Sequence, residues 1–191
     1  YVSRGGYKLE HALTAFGIDV RGMVALDLGA STGGFTDCLL QHGAAKVYAV
    51  DVGHGLLAWK LRNDKRVVVM EGVNGRYLGA ADFPEPFDGV DVATIDCSFI
   101  SLRHLLAPVA RIVKAGGFIV PLVKPQFEAG KAEADRGRGV IRDAAVRERV
   151  LAELKQFVGG FADLRWRAET ESPILGPAGN REYLVLLEKA R

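Results

Sequence analysis

Short apolar runs recur along the chain at residues 24–28, 46–51, 66–70, 89–96 and 118–123, each ending at glycine or a charged residue. Runs of this length, rich in valine and isoleucine, read as strands buried on both faces. Segments of helical period lie between them. Leu9, Leu13 and Phe16 recur at i, i+4 and i+7 and predict a first helix with Ser3 as N-cap and Gly17 as its stop. Phe35, Leu39 and Leu40 mark a second helix, and 56–61 a short third. A fourth runs from a Ser101 cap to Lys114, closed by Gly116 and Gly117; a fifth is capped by Asp143 and runs through Val158. Residues 164–171 and 182–188 supply two final strands. This alternation predicts one α/β domain over residues 1–191, with a parallel sheet covered on both faces.

One stretch breaks the regularity. Residues 126–142 are rich in glycine and charge, with Lys131, Arg136, Arg138 and Arg142 interspersed with Glu128, Glu133 and Asp135. A loop this long inside a compact domain is a candidate for function, and mobility is expected there. Composition adds bounds. The 191 residues are 49% hydrophobic, enough for one core, and the net charge of +2 does not by itself announce nucleic-acid binding. Cys38 and Cys97 lack metal-ligand spacing and read as reduced thiols of a cytoplasmic protein, so no metal is expected. The apolar runs fall far short of the ~20 residues of a membrane-spanning helix.

The chemistry concentrates where strands end. Residues 24–37 read V-A-L-D-L-G-A-S-T-G-G-F-T-D, a strand, a glycine turn and a helix. Such a turn places backbone N–H groups and a positive helix end at the C-terminal edge of the sheet, where open α/β sheets bind ligands. The spacing is G-x-x-x-G-G, and Ala30 stands where dinucleotide enzymes carry a second glycine for a pyrophosphate. S-adenosylmethionine, which has none, is the candidate ligand, held by Asp27, Gly29, Ala30, Ser31, Gly33, Gly34 and Phe35. Asp51 ends the second strand about twenty positions on, where an acid accepts from ribose hydroxyls, with Val52 beside it. Val73 and Asn74 follow the third strand and are placed for the base. Asp96 ends the fourth strand and is a further cofactor candidate. Lys124 follows F-I-V-P-L-V and should be partly desolvated; Lys8 lies one position off the apolar stripe of the first helix.

The stretches S-R-G-G-Y-K-L, D-L-G-A-S-T-G-G-F-T, D-V-G-H-G-L-L-A-W, D-C-S-F-I-S-L, P-L-V-K-P-Q-F-E and G-N-R-E-Y-L-V span nearly the whole chain. In this order they resemble the FtsJ-like RNA ribose methyltransferases, most closely their hemolysin A (TlyA) branch. The resemblance implies a Rossmann-like methyltransferase fold, seven-stranded and mostly parallel, with an antiparallel last strand and helices on both faces. It implies a catalytic Lys-Asp-Lys-Glu tetrad on Lys8, Asp96, Lys124 and Glu182, S-adenosylmethionine as cofactor, and cytidine 2′-hydroxyls of ribosomal RNA or a ribosomal subunit as targets. It also implies a small RNA-binding domain upstream of Tyr1; a monomer without a membrane partner is expected. Methyl transfer to a hydroxyl needs the oxygen in line, roughly 3–3.5 Å from the methyl carbon, and a route for its proton. In that scheme Lys124 orients and deprotonates the hydroxyl, Asp96 and Glu182 hold Lys124, and Lys8 offsets developing negative charge. Arg4, Lys8 and the 131–142 segment are the basic groups placed for RNA.

Other readings are weaker. A cytosine carbon-5 enzyme would use Cys97, but neighbours on a strand face opposite ways, so Cys97 should point away from Asp96. Amino-group enzymes carry Asp/Asn-Pro-Pro-aromatic where this chain has D-C-S-F. A membrane-active hemolysin would need a basic amphipathic helix with an aromatic face, which is not visible. A non-catalytic RNA chaperone that binds S-adenosylmethionine remains the alternative to an enzyme.

Overall fold

A computed structural model describes residues 1–191. The strands are β1 (Val24–Leu28), β2 (Lys46–Asp51), β3 (Val67–Glu71), β4 (Val90–Ile95), β5 (Val113–Val123), β6 (Leu164–Glu171) and β7 (Tyr183–Lys189). The helices are α1 (Gly5–Phe16), α2 (Gly34–Gln41), α3 (Trp59–Arg62), α4 (Leu106–Ile112), α5 (Pro125–Glu128), α6 (Lys131–Arg136) and α7 (Ala144–Gly159). All seven strands form one sheet in the order β3-β2-β1-β4-β5-β7-β6. Strands β1 to β5 pair in parallel, and β7 runs antiparallel to both β5 and β6. The expected mostly parallel sheet with an antiparallel last strand is therefore present.

The sheet buries both faces. One face packs Leu9, Leu13, Phe35 and Leu39 of α1 and α2; the other packs Leu106 and Val109 of α4 and Val150, Leu154 and Val158 of α7. Central strands must therefore be apolar throughout, which is why β1 and β4 read as unbroken runs. The strand order reverses between β1 and β4, so the connections that leave them run to opposite sides and open a crevice at the ligand-binding edge.

The sequence reading needs five corrections. Helix α1 starts at Gly5 with Arg4 in the cap position and no side-chain cap; Ser3 contributes its backbone carbonyl to the Gly6 N–H. Helix α3 is one turn, starting after Ala58. Ser101 caps a single 3₁₀ turn, Leu102–His104, before α4, which ends at Ile112. Strand β5 then begins at Val113, so Gly116 and Gly117 lie inside it instead of closing the helix. The 126–142 segment is also not a plain loop. Pro125 opens α5, and Glu133 accepts the Gly130 N–H to start α6.

Candidate active site

Glycines set the geometry of the turn after β1. Gly29 holds φ +83°, and a Cβ there would come closer than 3.0 Å to the Asp96 carbonyl oxygen. The bare backbone lets the β1 and β4 loops touch. Gly33 holds φ +103° and marks the start of α2. Asp51 braces this turn from β2: its Oδ2 accepts the Ser31 N–H and its Oδ1 the Gly53 N–H, both at 2.8 Å. Each carboxylate oxygen keeps a second lone pair for a ligand hydroxyl.

Asp27, at the penultimate position of β1, is fully buried and lines the larger cleft. Thr36 Oγ1 donates to its Oδ2 at 2.7 Å, and Thr94 Oγ1 approaches its Oδ1 at 3.4 Å. Burial, with the nearby Asp96 charge adding to it, pushes the Asp27 carboxyl up to about 7 against the pull of the threonine hydroxyls.

Two hollows meet at this edge. The larger, about 740 Å³, is lined by Lys8, Asp96, Lys124 and Glu182 together with Asp27, Gly29, Ala30, Ser31, Gly34 and Phe35. The smaller, about 390 Å³, takes in Asp51, Val52, Val73 and Asn74, with Leu56, Ile100 and Leu105 as apolar walls. Gly29, Ser31, Asp96 and Ser98 line both. Every expected site residue thus borders one hollow or the other except Gly33, which shapes the turn from beneath, against Leu57 and Leu61. The smaller hollow, apolar with an acid at one end, matches the chemistry of an adenosine.

The four charged residues form two ion pairs. Lys124 Nζ lies 2.6 Å from Asp96 Oδ1 and donates to Ser98 Oγ at 3.0 Å. Lys8 Nζ donates to Glu182 Oε2 at 2.5 Å. The expectation that Glu182 also holds Lys124 is not met. Lys8 projects from α1, which packs on the same sheet face as α2, and takes Glu182 as its partner. Lys8, Lys124 and Glu182 are all buried, so the partial desolvation expected of Lys124 is present. Glu182 is 1% exposed, and its Oε1 has no hydrogen-bond partner. Gly176 is what lets the carboxylate in, since a Cβ there would sit closer than 3.0 Å to Oε1.

Several residues escaped the sequence reading. Ser98 touches Lys124, and Asn180, 2% exposed, ties the chain before Glu182 to the loop after α6. Its Oδ1 accepts the Ile141 N–H at 2.9 Å, and its Nδ2 donates to the Gly139 carbonyl at 2.8 Å. Phe99 lines the cleft at φ +62° and is 89% exposed, its ring 5.0 Å from that of Phe127. The signal available for Ser98 and Phe99 is position alone: both follow a strand that ends at the site.

Cys97 lines the smaller hollow and not the cleft that holds Lys124. Burial pushes its thiol up to about 12, which leaves it protonated and a poor nucleophile near neutral pH. No helix is long and apolar enough to cross a membrane.

Known proteins resemble the chain over nearly its whole length. The family model for FtsJ-like methyltransferases matches residues 1–189. The chain is 48% identical over 187 residues to YqxC of Bacillus subtilis, covering 98% of this chain and 65% of that protein. It is 49% identical over 191 residues to the 16S/23S rRNA (cytidine-2′-O)-methyltransferase TlyA of Mycobacterium tuberculosis, covering 98% and 68%. It is 47% identical to Hemolysin A of Brachyspira hyodysenteriae, covering 97% and 75%. The chain therefore spans about two thirds to three quarters of these relatives. A solved structure from Streptococcus thermophilus superposes with TM-score 0.93 at 49% identity, covering all of this chain and 67% of that one. The fold alone is shared with a Mesorhizobium loti S-adenosylmethionine dependent methyltransferase, at TM-score 0.60 and 17% identity over 94% of this chain and 96% of that one. The chain belongs to the FtsJ-like methyltransferase family.

Proposed function

We propose that this chain transfers a methyl group from S-adenosylmethionine to ribose 2′-hydroxyls of cytidines in ribosomal RNA. One observation carries the reading: Lys8, Asp96, Lys124 and Glu182, far apart in sequence, border a single cleft that shares a wall with an adenosine-sized hollow. The residues around the two hollows fit the cofactor. Asp51 suits the ribose, Val52, Val73 and Asn74 the base, and the Gly29–Gly34 turn with Asp27, Ala30, Ser31 and Phe35 the amino-acid end. When bound, S-adenosylmethionine supplies an electrophilic methyl group on a sulfonium.

The chain's own groups then divide the work. Lys124 gives one hydrogen bond to Ser98 and is paired with Asp96 at 2.6 Å, which leaves room at its nitrogen for a substrate oxygen. Acting from its neutral amine form, Lys124 orients the 2′-hydroxyl and takes its proton on the nitrogen lone pair as the oxygen bonds to carbon; Asp96 stabilises the ammonium that results. Lys8, fixed by Glu182, places a second positive charge on the same cleft, where it offsets negative charge on the ribose and its phosphate. The exposed Phe99 ring offers a stacking face for an unpaired base at the mouth. Arg4 on the cleft wall and the basic 131–142 segment, whose Ala134 and Gly139 also line it, supply positive charge around an RNA strand. Such an enzyme works where ribosomes are made, in the cytoplasm.

The test is transfer of radiolabelled methyl groups to ribosomal RNA, followed by nuclease digestion. Label in a nuclease-resistant dinucleotide containing cytidine supports the reading. Label on a base, or no transfer by protein that binds S-adenosylmethionine, overturns it in favour of a base methyltransferase or a non-catalytic binding protein.

A further inference from the structure

A third hollow, about 320 Å³, lies beside α6 and the start of α7 and is separate from the two described above. Arg136 and Arg142 both line it. The carboxylates near them are already engaged. Glu133 is held by Arg149 through two hydrogen bonds, at 2.9 and 2.5 Å, and the same guanidinium keeps its carboxyl below the usual range. Asp143 spends its Oδ1 on the Ala145 N–H at the start of α7. Neighbouring cations are likewise satisfied: Arg149 by Glu133 and Glu153, and Arg147 by the Tyr183 hydroxyl and two backbone carbonyls. Arg136 and Arg142 are exposed and form no ion pair; Arg136 only adds its charge to the pull on Glu133, and Arg142 makes only a 3.4 Å contact to the Gly137 carbonyl. Two exposed arginines on one concave surface, neither within ion-pair distance of a carboxylate, offer an anion two free guanidinium groups.

We infer that Arg136 and Arg142 clamp a backbone phosphate of the substrate RNA, at a distance from the nucleotide being methylated. The inference rests on the RNA reading above and deepens it. Two features favour RNA over a free anion. The segment that carries the pair also forms a wall of the catalytic cleft through Ala134 and Gly139, so a strand leaving the cleft passes over it. Asn180 ties the same segment, at Gly139 and Ile141, to the chain two residues before Glu182. A phosphate held here therefore fixes the RNA relative to the tetrad and not merely to the surface.

The experiment measures binding of a labelled ribosomal RNA transcript against salt, and RNA KM, for three variants: Arg136→Gln/Arg142→Gln, Arg136→Lys/Arg142→Lys, and Arg111→Gln as an exposed arginine of α4 lining none of these hollows. S-adenosylmethionine affinity and melting temperature verify folding. Loss of one phosphate contact lowers the slope of log affinity against log salt by roughly 0.7–0.9, and KM should rise about tenfold, as expected for one charge-assisted contact. The glutamine pair should show both effects, while the lysine pair keeps the slope and Arg111→Gln matches the parent. An unchanged slope in a folded glutamine pair overturns the inference. So does inorganic phosphate, at constant ionic strength, raising the melting temperature of the parent alone while the RNA slopes coincide, since the site then takes a free anion. If the parent itself methylates no RNA, the functional reading fails first; if it does and the slopes coincide, only the clamp fails.

Discussion

Lys8 and Glu182 lie 174 positions apart and meet at 2.5 Å, with 9% and 1% of their side chains exposed. A buried pair adds little to stability over apolar residues of the same size, but removing one partner leaves an uncompensated charge. Lys8→Ala should therefore cost about 3–5 kcal/mol, read as a shift in the denaturant midpoint. The double change Lys8→Met/Glu182→Leu should recover most of that loss while staying inactive. Stability equal to the parent in Lys8→Ala would show that the pair is solvated.

Lys124 borders the catalytic cleft but not the adenosine-sized hollow. Lys124→Ala should leave S-adenosylmethionine affinity nearly intact and lower methyl transfer by about 10²–10⁴-fold, the usual contribution of a positioned acid–base group. Calorimetry and single-turnover assays read the two effects separately. Undiminished transfer would remove Lys124 from the chemistry.

Asp27 gives a pH signature. Its folded-state value of about 7 lies above the ordinary carboxyl value, so the native state binds the extra proton. Stability from this group is full below pH ~4 and declines as pH rises toward 7, by about 4 kcal/mol in total. Asp27→Asn should remove that decline, so the variant gains on the parent between pH 5 and 8 on the order of a few kcal/mol. Parallel stability–pH curves for the two proteins would refute it.

Phe99 tests the substrate side. Stacking of a base on an aromatic ring is worth about 1–3 kcal/mol. Phe99→Ala should weaken RNA binding accordingly, with S-adenosylmethionine binding unchanged and Phe99→Tyr close to the parent. RNA affinity untouched by Phe99→Ala would leave the exposed ring without a part in recognition.

The strands were legible because burial on both faces leaves nearly continuous apolar runs, and β1, β2 and β6 have the bounds read from the sequence. The start of β5 was not, since K-A-G-G reads as a turn. The structure gives the reason: at Gly117 a Cβ would come closer than 3.0 Å to the Asp91 carbonyl, so glycine serves a close strand approach and not a stop. At the site, the glycine turn and Asp51 follow from spacing alone. Lys8 and Glu182 do not, because periodicity describes one element at a time and their partnership joins the first helix to the residue that leads into the last strand. Only the family motifs nominated them, and the reading built on those motifs gave both acids to Lys124, whereas Glu182 pairs with Lys8. Asn180 and Phe99 depend on how loops from different strands come together, which no local pattern encodes.

Gly176 does not need a left-handed backbone, so nothing about its conformation forbids alanine. The constraint comes from its neighbour: the absent side chain is the space Glu182 occupies. One added methyl group in a surface turn would dislodge the acid from Lys8 without touching the sheet. Such a protein would keep the sheet at reduced stability and be silent, a loss of function written at a position that no inventory of charged or nucleophilic groups would include.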